Sequence, residues 1–273
     1  MVIQSIQPIV LSPVVNTGEY FLSRIIDTET TSADPTTAEV IEVGWVDVWF
    51  PVHGGRPFMG QPFKTFVRPT GPITIEAMAV HHITEEEAAT GIPQAELLPL
   101  VLRDSPDCFV AHNAKFEASL LDVGPIPWLC TYKSALRVYP DSPRHTNQVL
   151  RYQLGLKVDP EIAQPPHRAA PDAYVTAFLL MKMAESISLE QMIEWTREPA
   201  KFPRMNFGQH RGAKWEEVPF SYLKWILDKG KFDEDVIANV VWEMERRAKL
   251  RDVEDENSQV PRSNISETTC SPG

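Results

Sequence analysis

Residues 24–31 have the sequence Arg-Ile-Ile-Asp-Thr-Glu-Thr-Thr, and this stretch says most about the fold and chemistry of the chain. Its apolar, β-branched start predicts a buried strand, which carries Asp27 and Glu29 near its end. Because residues i and i+2 of a strand point to the same face, the two carboxylates would share one place. Two like charges in an apolar setting are costly unless a hard cation that prefers oxygen ligands neutralises them. The stretch therefore predicts a metal site at one end of a strand.

Length and composition narrow the class of protein. The chain has 273 residues, 43% of them hydrophobic, and a formal net charge of −11, which argues against a general nucleic-acid coat protein but not against an enzyme whose acids bind metal. Its three cysteines have no paired spacing, so neither a disulfide framework nor a zinc cluster is predicted. We find no signal peptide and no apolar run near the roughly 20 residues of a membrane helix. We expect a soluble cytoplasmic protein without a membrane partner.

Three strands open the first part of the chain, and helices alternate with strands after them. The first three strands follow one another in hairpin order, so we expect them to be antiparallel. The later alternation predicts an α/β fold with a mixed sheet flanked by helices. Strands are predicted at 22–27, 40–50, 63–67, 108–111 and 128–131, and helices at 75–81, 85–90, 94–102, 113–121, 133–138, 146–154 and 171–185.

The composition changes after residue 186, which predicts several segments. We expect an N-terminal extension (1–20), a main domain (21–188), a linker (189–203), a small C-terminal unit (204–250) and a disordered acidic tail (251–273). Within residues 186–203 we expect a helix as well as the linker. Seven basic and three acidic residues lie between 201 and 231, a local net charge of +4, with aromatic residues interleaved. This pattern fits contact with a nucleic-acid backbone and its bases, or a small aromatic core with a solvated basic face.

Two further segments contain candidate ligands. Residues 112–117 have the sequence His-Asn-Ala-Lys-Phe-Glu, which places Glu117 in the first turns of a helix that Asn113 is predicted to cap. Residues 167–173 have the sequence His-Arg-Ala-Ala-Pro-Asp-Ala, which places Asp172 at the start of a helix. Taken alone, each acid could be present because a carboxylate interacts favourably with the dipole at a helix start. His167 alone could be an ordinary residue of a surface loop. The adjacent His81 and His82 point apart at i and i+1, so packing or substrate contact is preferred to metal binding.

Together the three segments resemble the motifs of the DEDDh 3′–5′ exonucleases, a family with a ribonuclease H-like fold. The family's Asp-x-Glu-Thr matches residues 27–30, and its His-x-Ala-x-x-Asp-Ala matches residues 167–173. Its His-Asn-x-x-Phe-Asp matches residues 112–117, with Glu117 in place of aspartate. The resemblance spans about residues 21–185. Exonuclease X-type members are the most similar, also in the segment Met-Asn-Phe-Gly-Gln-His-Arg-Gly at 205–212.

The resemblance implies a ligand set and a catalytic base. Asp27 would bridge two Mg²⁺ ions, with Mn²⁺ as a substitute, while Glu29 and Asp172 complete the first site and Glu117 holds the second ion. His167 would orient and deprotonate the attacking water. The residues that would position the terminal nucleotide are Thr28, Thr30, Asn113 and Phe116.

The implied activity is release of nucleoside 5′-monophosphates from a free DNA 3′ end, in single strands or duplexes. One alternative is RNase T-like trimming of RNA 3′ ends. A second is a weakly active nucleic-acid-binding module, because Glu117 is one methylene longer than aspartate and a misplacement of ~1 Å can cost about a hundredfold in rate. The oligomeric state is not predicted.

Overall fold

The computed structural model describes residues 18–259, with side chains to residue 253. The predicted N-terminal extension and the end of the acidic tail therefore lie largely outside the described residues. The chain divides after Ala200 into two compact units, which we call the catalytic unit, because it contains all the residues predicted above to act in catalysis, and the C-terminal unit. Within residues 18–259, no helix is both long and apolar enough to cross a membrane. The cytoplasmic location stays a prediction.

The catalytic unit contains a seven-stranded mixed sheet with the order β5-β4-β2-β1-β6-β7, and β3 pairs with β2 beside this path. Strands β1, β2 and β4 are antiparallel neighbours, as predicted, whereas β6 and β7 run parallel to β1. The strands are β1 Tyr20–Thr30, β2 Val40–Pro51, β3 Phe58–Met59, β4 Phe63–Arg68, β5 Ile92–Pro93, β6 Cys108–Ala111 and β7 Trp128–Cys130. The predicted mixed sheet is confirmed; the two-residue strands β3 and β5 are too short to show a periodicity in sequence.

In the described residues of the catalytic unit, 18–200, eight helices flank this sheet. They are α1 Ile75–His81, α2 Glu85–Ala88, α3 Gln94–Val101, α4 Lys115–Leu120, α5 Thr131–Val138, α6 Asn147–Gln153, α7 Ala169–Ala184 and α8 Leu189–Arg197. Helix α7 packs across β1 and β2, where Leu179 and Met183 share a buried core with Ile25 and Val48. This packing holds the start of α7 over the end of β1.

Helix α8 lies in the segment where a helix and a linker were predicted. Residues 189–197 are helical, and the hydroxyl of Thr196 accepts a hydrogen bond from the backbone N–H of Cys130 at the end of β7 (2.7 Å). Lys133 donates to the carbonyl of Thr196 (2.9 Å), and Met192 is fully buried in the main core. The segment is therefore part of the catalytic unit, and its role depends on contacts that a local pattern does not reveal.

The C-terminal unit is built from a 3₁₀ turn and two helices, α9 Phe220–Lys229 and α10 Glu234–Gln259. Before them, residues 204–214 form a loop closed by backbone hydrogen bonds from Met205 to Ala213 (2.9 Å) and from Gly212 to Met205 (2.8 Å). Because α10 continues to Gln259, residues 251–259 are helical, where disorder had been predicted from residue 251.

Candidate active site

Three carboxylates meet at the end of β1. Asp27 and Glu29 project from β1 and Asp172 from the first turn of α7, and one oxygen of each lies within 4.8 Å of the others. All three side chains are partly exposed, so the site is open to a ligand. The β1–β2 ladder is irregular just after Glu29, which marks the end of regular pairing at the site. Hence two predicted ligands from one strand and a third from a distant helix form one cluster.

Strand β2 brings α7 to these carboxylates because it lacks a side chain at one position. Gly44 pairs directly with Asp27, so the two positions share one face of the sheet. A Cβ atom on Gly44 would lie 2.3 Å from the backbone nitrogen of Ala170 and 2.6 Å from the carbonyl carbon of Ala169. The start of α7 therefore lies directly on β2, and this close approach places Asp172 beside Asp27.

Glu42 holds the same helix start by hydrogen bonds, and the sequence analysis had not identified it. Glu42 pairs with Glu29 across the ladder and is only 1% exposed. Its carboxylate accepts the backbone N–H of Ala169 (3.0 Å) and two hydrogen bonds from the Arg168 guanidinium (2.6 and 3.0 Å). The sequence did contain a signal for this role, namely an acid within the apolar strand predicted at 40–50. A charge buried in such a strand needs a partner.

Glu117 lies on α4, which follows the parallel strand β6. Its side chain is 5% exposed, and its Oε2 atom has no hydrogen-bond partner among the described residues. Burial raises the pKa of Glu117 to about 8. Helix α4 begins after Ala114 with no side-chain cap, so the predicted cap by Asn113 is wrong. Asn113 instead has a left-handed backbone (φ 75°) in the preceding turn. A buried carboxylate with an unsatisfied oxygen is suited to a cation.

His167 lies in an exposed loop before α7, with a left-handed backbone (φ 60°). Such a conformation is unusual for a residue other than glycine and occurs often at functional sites. The backbone N–H of His167 donates to Oδ2 of Asp172 (2.7 Å), and Gln148 donates to Oδ1 of the same carboxylate (3.3 Å). The loop thereby fixes the orientation of Asp172 and keeps His167 next to it.

The carboxylates raise one another's pKa values. For Asp27 the main cause is burial, followed by the charges of Glu29 and Asp172, and its pKa lies well above the ordinary value. The pKa of Glu29 rises to about 8 for the same reasons, although Arg168 opposes the shift. Burial also raises the pKa of Asp172, while the hydrogen bond from His167 opposes it. Without a cation, the cluster holds protons that a metal would displace.

The four residues predicted to contact a nucleotide differ in accessibility. Thr28 and Thr30 are buried; the Thr30 hydroxyl donates to the carbonyl of Ser32 (2.7 Å), and the Thr28 hydroxyl has no partner within the described part of the chain. Asn113 is exposed and Phe116 is partly exposed. Their contact with substrate stays a prediction.

Two histidines of the motif segments have structural roles that were not predicted. His112 lies between the Thr131 hydroxyl (3.0 Å) and the carbonyl of His145 (2.7 Å), and burial lowers its pKa to about 4. This contact ties the turn after β6 to the start of α5. His82 ends α1 with a left-handed backbone (φ 58°), and its N–H donates to the carbonyl of Met78 (2.9 Å).

The residues present fit a hard divalent cation. Every candidate ligand atom is a carboxylate oxygen, which suits Mg²⁺ or Mn²⁺ and not a thiolate-seeking metal. Raised pKa values at Asp27 and Glu29, and an oxygen of Glu117 without a hydrogen-bond partner among the described residues, are properties expected of carboxylates that bind a cation.

Comparisons with known proteins agree with this arrangement. The RNase T exonuclease family model matches residues 25–180. Exodeoxyribonuclease 10 of Escherichia coli K12 is 32% identical over 210 residues, which cover 75% of this chain and 90% of that protein. A DNA polymerase III subunit epsilon-like protein of Rhodobacter capsulatus is 30% identical over 173 residues, covering 60% of this chain and 24% of that protein. Among solved structures, exonuclease X in complex with 5′ overhanging duplex DNA is 32% identical, with a TM-score of 0.52, and the match covers 64% of this chain and 99% of that one.

Proposed function

The chain belongs to the RNase T exonuclease family and is a 3′–5′ exonuclease, and on this basis we propose that it removes nucleoside 5′-monophosphates one at a time from DNA 3′ ends. The observation that carries the proposal is that oxygen atoms of Asp27, Glu29 and Asp172 lie within 4.8 Å of one another. Strand β6, which leads into the helix that carries Glu117, pairs with β1 beside this cluster. DNA is favoured as substrate because the similar E. coli protein is an exodeoxyribonuclease and the similar solved structure contains duplex DNA.

Asp27, Glu29 and Asp172 would hold divalent metal, and Glu117 would hold a second ion. When bound, two Mg²⁺ ions supply positive charge that stabilises the attacking and leaving oxygens of the phosphodiester. The chain's own residues supply orientation. Gln148 and the backbone of His167 fix the Asp172 carboxylate, and the contacts of Gly44 and Glu42 with the start of α7 set its distance from β1.

His167 would take the proton of the attacking water. Its side chain is exposed, so substrate and water can reach it. An imidazole is largely neutral near pH 7 and can accept a proton there. The backbone N–H of His167 donates to Oδ2 of Asp172 (2.7 Å), so the base would stand next to a proposed metal ligand.

The proposal is tested on oligonucleotides labelled at either end. With Mg²⁺, a 5′-labelled DNA strand should shorten progressively, and a 3′-labelled strand should release its label at once as a mononucleotide. Asp27→Asn should abolish both signals while the protein stays folded by circular dichroism. Asp122→Asn is the matched control, because Asp122 is exposed and caps only the turn at Gly124 (3.2 Å).

Two outcomes would overturn the proposal. Unchanged activity of Asp27→Asn would remove the carboxylate cluster from the mechanism. Faster shortening of an RNA of the same sequence than of the DNA would replace DNA by RNA 3′ ends as the substrate. Single strands and duplexes with a recessed 3′ end, run side by side, establish which DNA form is preferred.

A further inference from the structure

We propose that one face of the C-terminal unit is a binding site for single-stranded DNA, separate from the carboxylates of the catalytic unit. The site combines a connected set of aromatic rings with exposed basic side chains. The choice of DNA as the nucleic acid rests on the proposed function; the existence of the surface does not.

The aromatic part of this face is a set of five rings that contact one another in sequence, here called the ring cluster. Its centroid distances are 4.6, 5.2, 5.8 and 4.9 Å along the order His210, Tyr222, Trp225, Phe232 and Phe207. Four of the rings are partly buried, and Trp225 exposes 43% of its surface. The cluster thus presents an aromatic surface to solvent.

The ring cluster is not the core of the small unit. Helix α9 buries Leu223 and Ile226, and these aliphatic residues are fully buried whereas the rings are not. The remaining buried apolar residues of the unit are Phe202, Met205, Val218, Val236 and Val240. Since aliphatic side chains and Phe202 fill the interior, the rings near the surface are available to an external ligand.

A glycine in the 204–214 loop fixes that loop against the ring cluster. Gly208 has a left-handed backbone (φ 64°), and a Cβ atom there would lie 2.3 Å from the Tyr222 hydroxyl oxygen. The loop can therefore pack on Tyr222 only with glycine at this position. The same loop brings the His210 ring to the edge of Tyr222 and leaves the neighbouring Arg211 exposed.

Basic side chains accompany the rings. Seven bases and three acids lie between residues 201 and 231, a net charge of +4 in a chain of net −11. All seven bases are exposed. Among the described residues, one of these bases makes an ion pair: Nζ of Lys214 lies 3.9 Å from Oε1 of Glu216, which is a long contact. The other exposed bases make no ion pair within the described part of the chain, and such cations can neutralise phosphates and release counterions.

Single-stranded DNA is the ligand whose chemistry matches both features. Its unpaired bases can stack on exposed rings, and its phosphates can lie beside lysine and arginine; a duplex hides the faces of its bases. Stacking depends little on base identity, so we expect binding with weak sequence preference and a strong dependence on salt.

The experiment measures fluorescence anisotropy of labelled dT20 with the full-length Asp27→Asn protein in EDTA, so that hydrolysis does not interfere. Trp225→Ala should weaken binding about tenfold or more, the loss expected from one base–ring stack. Trp225→Phe keeps a ring and should restore most of the affinity. Phe220→Ala is the matched control, because Phe220 is on the same helix, is 45% exposed, and lies about 140° away around the helix axis.

A second set of variants tests the charges independently of the rings. Replacing Lys224, Lys229 and Lys231 together by alanine should reduce the slope of log affinity against log salt by about two, since each phosphate contact contributes about 0.7 for single strands. Circular dichroism and thermal melting confirm that each variant is folded.

Three results would overturn the proposal: undiminished binding by folded Trp225→Ala, an equal loss in Phe220→Ala, or tighter binding of rU20 than of dT20. Failure of the proposed exonuclease function is distinguishable, because it would show as no mononucleotide release by the unsubstituted protein while binding in EDTA is unaffected.

Discussion

Gly44→Ala tests whether the close approach of α7 to β2 sets the catalytic geometry. The new Cβ would lie 2.3 Å from the nitrogen of Ala170, whereas an ordinary contact needs about 3.5 Å, so the start of α7 must move by about 1 Å. Asp172 is two residues further along the same helix and moves with it. Because a misplacement of ~1 Å near the reacting atoms can cost about a hundredfold, we expect turnover to fall by about that factor.

The assay is steady-state release of mononucleotides, with kcat and KM determined separately. We expect kcat to fall and KM to change little, because the substitution moves a ligand and touches no substrate. Overpacking of this kind costs about 1–3 kcal/mol, which a folded domain can tolerate, and thermal melting measures it. The control is Gly71→Ala, whose Cβ would have its nearest neighbour at an ordinary 3.6 Å. A melting temperature that falls while kcat stays within about threefold of the unsubstituted protein would refute the reasoning.

Three further predictions concern charge. Glu42→Gln leaves Arg168 without its carboxylate partner and should lower the free energy of unfolding by about 3 kcal/mol. This is the low end for a broken buried pair, because 19% of the Arg168 side chain is exposed. Urea titration measures the change, and a loss below about 0.5 kcal/mol would show that the pair is unimportant for stability. Glu117→Gln removes one ligand charge and should raise the Mg²⁺ concentration for half-maximal activity at least about tenfold, with Asp122→Asn unchanged. In EDTA the folded protein should lose stability as pH rises from about 5 to 8, because Glu29 and Glu117 hold protons up to about pH 8 when folded but release them near pH 4.5 when unfolded. Added Mg²⁺ should then raise the melting temperature more at pH 8.5 than at pH 6, and a stability in EDTA that increases over this range would contradict the shifts.

Local patterns predicted the parts of the site that lie on single elements. The alternation along β1 predicted that Asp27 and Glu29 share a face, and Pro171 predicted a helix start near Asp172. The role of Gly44 was not predictable in this way, since it depends on the register that places it opposite Asp27. Sequence periodicity carries no information about that pairing. Glu42 and its contact with Ala169 were missed for the same reason.

Other differences arise where tertiary contacts override local preference. Asn113 is a good capping residue, yet the turn uses its left-handed backbone and the helix starts after Ala114. A helix and a linker were predicted within 186–203, but the sequence did not show that the helical part is anchored on the sheet, where the Thr196 hydroxyl accepts a hydrogen bond from the backbone N–H of Cys130. In the C-terminal unit, composition could not separate a core from a surface; burial shows that Leu223 and Ile226 fill the interior and Trp225 does not.

The separation of the ligands along the chain has a consequence for biosynthesis. Asp27 leaves the ribosome long before Asp172, and the carboxylate cluster needs α7 seated on β2 over Gly44. Because synthesis runs from the N-terminus and a domain generally folds as a unit, a nascent chain carries an incomplete ligand set until this late helix has been made and has docked. A partly made copy that lacks this helix therefore cannot assemble the carboxylate cluster.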